Sequence, residues 1–223
     1  METAKREMSF LLARPERRAL LWLAPRLPAG WTPDLLTAIG VLGALLVGLG
    51  YVLAKHHPAW LWLANSGLAV NWFGDSLDGT LARVRHIERP KYGYYLDHAV
   101  DAINTTVVCA GIGLSSYVAL PVALGLVIGY LCLSINVYLE SAVFNLFDFG
   151  FGIFGPTEMR LLLILCNTGL FVGAVTTRLT GPEVAPYANA VFGVACAGMA
   201  LAYLLRLRIN LIRLARIEPP RQA

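Results

Sequence analysis

The sequence predicts an all-α integral membrane protein with six transmembrane helices and an N-terminal amphipathic helix lying in the membrane interface. Three observations predict it. The 223 residues are 57% hydrophobic and only 14% charged, whereas a soluble domain carries about 25% charged residues. Six windows meet the length that a bilayer demands, about 20 mostly apolar residues. Lys and Arg are also split unevenly between the two sides that six spans would define, 16 against 2. Short loops rich in Lys and Arg stay cytoplasmic. Both termini, the Arg83–Lys91 loop and the Phe144–Glu158 loop are therefore expected in the cytoplasm.

In chain order, residues 1–30 read as a cytoplasmic tail and interfacial helix. The first residues, METAKREMSFLLARPERR, offer no uninterrupted apolar core before Arg14, so no cleavable signal peptide is expected. Met8–Pro25 mixes Arg14, Arg17 and Arg18 with Leu20, Leu21, Trp22 and Leu23. It is too short and too charged to span, and suits an interfacial helix; an ordinary basic tail is the alternative. Residues 31–205 carry the spans, near Leu35–Ala54, Trp60–Leu81, Tyr92–Ser115, Leu120–Phe144, Glu158–Val175 and Pro186–Leu205. Pro58, Pro121, Pro156 and Pro186 stand at or near four span starts, where proline costs least. Residues 206–223 read as a basic cytoplasmic tail that retains the chain on that side and touches anionic lipid. Cys109, Cys132, Cys166 and Cys196 each lie alone in an apolar run, without metal-ligand spacing, and read as small buried thiols.

The second and third spans are the least hydrophobic because they hold Asp75, Asp78, Asp97 and Asp101. Asp75 and Asp78 are three apart and Asp97 and Asp101 four apart, which puts each pair on one helix face. Gly79 and Ala82 continue the first face, and Gly93 precedes Asp97 by four. These small residues leave room for a ligand or a facing helix. At 1.5 Å per residue, Asp97 and Asp101 lie roughly 8 and 13 Å into the third span. The two spans run in opposite directions, so all four acids should meet in one chamber open to the cytoplasm.

One carboxylate near mid-bilayer costs about 2.5–3.5 kcal/mol. Four would cost on the order of 10 kcal/mol, which rivals the stability of a whole domain. Divalent cations would cancel that charge. Oxygen-only ligands favour Mg²⁺, Mn²⁺ or Ca²⁺ over zinc. Four carboxylates suffice for two ions, an arrangement suited to phosphoryl chemistry. The alternative is a set of acids paired with Arg83, Arg85 and Lys91 at a wet helix boundary.

The run Asp75-x2-Asp78-Gly79-x2-Ala82-Arg83-x9-Gly93-x3-Asp97-x3-Asp101 resembles the signature of the CDP-alcohol phosphotransferases. The six-span layout and the N-terminal interfacial helix also look like that family. The resemblance implies that the four aspartates bind two divalent metals, Mg²⁺ or Mn²⁺, and that Asp101 is the catalytic general base. It implies that Asp78, Gly79, Ala82, Arg83 and Gly93 hold the CDP moiety. TPDLLT, Thr32–Thr37, resembles the family's TPNxLT segment near the cytidine, which adds Pro33 and Thr37; here Asp34 replaces the usual Asn. The implied reaction moves a substituted phosphoryl group from a CDP-linked donor, either CDP-diacylglycerol or a CDP-linked small alcohol, to an alcohol acceptor, with CMP released. The implied setting is phospholipid synthesis in a bacterial inner (plasma) membrane. The implied partners are donor, acceptor, membrane lipids and a second copy of the chain, with no nucleic acid.

Other polar residues suggest acceptor contacts. In the Gly-rich loop Phe147–Arg160, Thr157 reads as a helix N-cap and Glu158 suits the helix dipole; Glu158 or Arg160 facing the chamber is the functional reading. Asn136 and Glu140, four apart, either line the pocket or satisfy each other. The stretch SINVYLESAVFNLF has no Lys or Arg, which tilts the reading away from a phosphorylated acceptor. Within the family, a phosphatidylglycerol-phosphate or phosphatidylinositol-phosphate type synthase remains the alternative. Outside it stand a cation-coupled transporter, since intramembrane acids also mark ion pathways, and an inactive scaffold. The clustering of the acids near one surface disfavours the first, and the intact signature disfavours the second.

Overall fold

A computed structural model describes residues 11–144 and 155–219. Part of the interfacial segment, Met8 to Phe10, lies outside the described residues. So do the loop residues from Phe147 to Phe154 and the end of the basic tail from Pro220. Seven α-helices are present among the described residues: α1 (Ala13–Leu23), α2 (Pro33–Leu53), α3 (Leu61–Val84), α4 (Pro90–Gly113), α5 (Leu120–Phe144), α6 (Pro156–Thr176) and α7 (Gly181–Ile217). No strand occurs there. Four of the helices, α2, α5, α6 and α7, are long and apolar enough to cross a membrane. The acids keep α3 and α4 out of that set, although each has 24 residues.

Local chemistry sets the helix ends. Thr32 caps α2 by accepting from the Leu35 N–H at 3.1 Å, and Pro33 follows at the first helical position. At the end of α3, His86 adopts the left-handed conformation, with φ of 54°. Its N–H donates to the Arg83 carbonyl and the Ile87 N–H to the Ala82 carbonyl, at 3.2 and 3.0 Å. This Schellman closure turns the chain toward α4.

The α7 helix departs from the sequence expectation at both ends. It begins at Gly181, so Pro186 lies inside it, and it continues unbroken past Leu205 to Ile217. The Leu, Ile, Arg and Ala residues beyond 205 are good helix formers, with no Gly or Pro to stop them before Pro219. The expected buried thiols also change: Cys166 is exposed and the other three cysteines are half-buried. Cys196 lies on the side of α7 turned toward α5, its thiol 3.6 Å from the Val122 carbonyl.

The centre of the fold is α2 packed between α3 and α4, with α6 against α3, α5 against α4, and α7 against α5. Glycines allow the central backbones to touch. A Cβ on Gly43 would lie 2.7 Å from the Asn71 Cα, and one on Gly111 would lie 2.5 Å from the Gly48 Cα. Small residues serve in this way where no hydrophobic force drives helices together. Leu36, Leu77 and Leu81 fill the space toward α1, together with Leu20 and Ala24. Val47, Leu61, Leu68 and Ile112 fill the other end.

Candidate functional site

The helix spacing brings three of the four acids together. One carboxylate oxygen each from Asp75 on α3 and from Asp97 and Asp101 on α4 lies within 4.8 Å of the others. Asp75 and Asp101 are half-buried and Asp97 is exposed. Three oxygen donors this close repel one another unless a cation joins them. The set fits a hard divalent cation and offers no sulfur or nitrogen to attract a softer one.

Asp78 stands aside. Its Oδ2 accepts from the Thr37 hydroxyl at 2.7 Å and its Oδ1 from the Gly79 N–H at 2.5 Å. The reason is rotation: Asp78 lies three residues beyond Asp75, about 60° around α3, which turns it toward the start of α2. Thr37 is in turn held by the Pro33 carbonyl at 3.1 Å.

Arg160, near the start of α6, completes the cluster. Its Nη2 donates to Asp75 Oδ2 at 2.5 Å and its Nε to Asn71 Oδ1 at 2.9 Å. The Asn71 amide donates to the Gly40 carbonyl at 2.9 Å. The pair therefore ties α6 to α3 and, through Asn71, to α2. Arg83 turns elsewhere. It donates to the Thr80 hydroxyl at 3.1 Å and lines a cavity of about 270 Å³ with Arg17, Leu21, Thr80 and Val84. Gly93 faces open space, Ala82 is half-buried, and Pro33 is the first residue of α2.

A family model for CDP-alcohol phosphatidyltransferases matches residues 31–197, a range that contains all eight signature positions. The chain belongs to the CDP-alcohol phosphatidyltransferase family. It is also similar to a phosphatidylinositol phosphate synthase of Cutibacterium acnes, with 34% identity over 85 residues. That match covers 37% of this chain and 38% of the relative.

In this family member the alternative ion-pair reading of the acids does not hold for Arg85. Its guanidinium donates instead to four backbone carbonyls, those of Leu27, Pro28, Ala29 and Trp31, at 2.5 to 3.2 Å. Arg85 thereby secures the segment between α1 and α2. Asp34, the departure from the family's usual Asn, meets Arg89 in a two-pronged contact at 2.6 and 2.7 Å. That carboxylate holds the Arg89 guanidinium above its ordinary pKa. The exchange joins the starts of α2 and α4 at the rim of the site.

One expectation changes, and at two others the structural alternative holds. Thr157 is not the N-cap of α6; Gly155 is, and Thr157 is the second helical residue. Glu158 does not face the acids. Its carboxylate accepts from the Leu12 N–H at 2.7 Å and the Gly155 N–H at 2.9 Å, so both oxygens serve helix starts. Asn136 and Glu140 face α7, where Glu140 accepts from Asn136 and Asn210 at 2.7 and 2.6 Å and pairs with Arg206 at 3.3 Å. The α5 face turned toward α4 carries Tyr138 instead, whose ring lies 4.8 Å from that of His98. His98 sits beside Asp97, 3.3 Å from its carboxylate.

Two residues at or beside the site, the second bonded to Trp72, Ser76 and Thr157, escaped sequence reasoning. Asn71 precedes Asp75 by four, on the same helix face, and that spacing was the available signal. Glu16 lies on α1, far from the acids in sequence, and nothing local marks it.

Proposed function

We propose that the protein is a multi-pass membrane transferase that moves a substituted phosphoryl group from a CDP-linked donor to an alcohol hydroxyl and releases CMP, in phospholipid synthesis. The observation that carries the reading is the convergence of Asp75, Asp97 and Asp101 in a chain whose family match spans residues 31–197. The donor is CDP-diacylglycerol with a small polar acceptor, or a CDP-linked small alcohol with a diacylglycerol-like acceptor.

In this reading Asp101 takes the proton of the acceptor hydroxyl. The acceptor oxygen then forms a P–O bond to the substituted phosphorus. The P–O bond to CMP breaks, and CMP leaves with the electron pair. Asp75, Asp97 and Asp101, with Asp78, would hold two divalent cations, Mg²⁺ or Mn²⁺, which when bound supply positive charge to the diphosphate and the departing oxygen. Thr37 orients Asp78 for the donor side, where Pro33, Gly79, Ala82, Arg83 and Gly93 shape the CDP site. Arg160 keeps Asp75 fixed and adds a positive group at the acceptor side.

The membrane arrangement is part of the proposal. It has six spans, with α3 and α4 among them, because 24 residues reach about 36 Å. It puts α1 in the interface, since its Leu21 and Trp22 are exposed beside Arg17 and Arg18. The 16-to-2 division of Lys and Arg supports an active site that opens to the cytoplasm, at a bacterial inner membrane.

A second reading of the acceptor has its own support. The relative's name points to a phosphorylated inositol lipid as product, and Arg160 supplies a cation that the stretch SINVYLESAVFNLF, most of it within α5, lacks. The test uses purified protein, Mg²⁺ or Mn²⁺, and a panel of CDP-linked donors. Acceptors include inositol, inositol phosphate, glycerol phosphate and diacylglycerol, and CMP release is measured. At least one pair gives metal-dependent CMP, and Asp101→Asn lowers turnover by about 10²–10⁴-fold. No metal-dependent CMP from any pair, or full turnover by Asp101→Asn, overturns the proposal.

A further inference from the structure

One carboxylate oxygen outside the acid cluster collects three donors from two helices. Glu16, in the first turn of α1, accepts at Oε1 from the Trp72 indole N–H at 2.8 Å, the Ser76 hydroxyl at 3.1 Å and the Thr157 hydroxyl at 2.6 Å. Trp72 and Ser76 belong to α3, and Thr157 to the first turn of α6. All three partners are uncharged. The carboxylate sits beside the N-terminal ends of α1 and α6, where the helix dipoles favour negative charge.

Each donor is next to a site residue. Ser76 follows Asp75 and Trp72 follows Asn71, each about 100° further around α3. Thr157 precedes Arg160 by three, which puts the two on neighbouring positions of α6. Arg160 itself bonds to both Asp75 and Asn71. The α3–α6 contact is therefore tied twice, once directly through Arg160 and once around the side through Glu16. Glu158 strengthens the second tie by accepting from the Leu12 N–H, which holds the start of α1 against the start of α6.

We propose that Glu16 is a positioning residue for the acid site: it sets the spacing of α3 and α6 at which Arg160 meets Asp75. The helix read as a membrane anchor is then also a brace for catalysis. A long arginine side chain can reach a carboxylate from many helix positions. A fixed separation selects one, and a misplacement of about 1 Å is enough to slow a reaction severely. The inference rests on the proposed role of Asp75 in transfer.

The experiment compares wild type, Glu16→Ala, Glu16→Gln and Thr157→Val by metal-dependent CMP release, each with a melting curve. Glu16→Ala lowers kcat about tenfold with the donor KM within about twofold. Glu16→Gln, which keeps an acceptor oxygen, restores part of the loss. Thr157→Val, which removes one donor and leaves α1 intact, gives a smaller loss in the same direction, and it carries the test where Glu16→Ala fails to fold. In an Arg160→Ala background, Glu16→Ala adds less than twofold, because residues that act through one another are not additive. A kcat within twofold of wild type in Glu16→Ala and Thr157→Val overturns the proposal. So does a double variant in which the two losses multiply. Absence of CMP from the wild type instead marks failure of the transferase reading itself.

Discussion

In the α2–α3–α4 trio, backbones touch; between α5 and α7, side chains do. The trio brings Gly43 against Asn71 and Gly67, Gly48 against Gly111, and Gly74 against Gly40. Between α5 and α7, Gly125 and Gly129 meet only the side chains of Cys196 and Met199. The trio also holds the fully buried leucines, Leu36, Leu61, Leu77 and Leu81, whereas α7 has no buried residue. All four acids stand on the close-packed part, with Thr37 and Asn71, and Arg160 reaches them from α6. Backbone contact leaves no rotamer freedom to absorb a shift, so the acids keep their separation. The flank turns large apolar side chains outward, such as Ile128 and Val194, and a lipid phase can cover those without fixed partners.

Paired substitutions break or sharpen this contrast. The largest effect comes from core volume. Leu77 is fully buried at the junction of α1, α2 and α3, and Leu77→Ala costs about 2–5 kcal/mol. Val194, on α7, is 74% exposed, and Val194→Ala leaves the melting temperature in detergent unchanged. Next come the glycines. Gly43→Ala forces a methyl toward the Asn71 backbone and costs about 1–3 kcal/mol. Gly193→Ala has nothing within 4 Å to meet and stabilises α7 by about 0.5–1 kcal/mol. A Gly43→Ala protein that melts with wild type would remove the distinction between the two regions.

The helices were legible because apolar windows and prolines mark them. The Leu120–Phe144 window coincides with α5, and the windows for α2, α3, α4 and α6 fall within three residues of the helix ends. The extent of α7 was not legible: Arg206 to Arg216 reads as a tail by charge, although its residues favour helix. The acids were legible because spacings of three and four fix a helix face. Which of them converge was not, since rotation around α3 and the choice of Thr37 as partner depend on where α2 packs. Glu16 was invisible because its partners lie 56, 60 and 141 residues away, beyond any periodic pattern. Asn136 and Glu140 were paired correctly by spacing, yet the helix face alone could not say that α7, and not the acids, stands opposite them.

The smallest effect concerns the rim. Asp34→Asn removes the charge partner of Arg89 while keeping a hydrogen-bonding oxygen. Both side chains are exposed, so salt already screens the pair. The melting temperature stays with wild type, kcat for CMP release is unchanged, and donor KM shifts by less than about twofold.

The most direct measurement is Mn²⁺ binding to the purified protein by electron paramagnetic resonance, without substrate. Wild type binds the ion, Mg²⁺ competes for it, and Asp75→Asn, Asp97→Asn and Asp101→Asn each weaken binding at least about tenfold, which corresponds to ~1.4 kcal/mol. Binding by all three variants that equals wild type, in folded protein, would contradict a cation site built from these carboxylates.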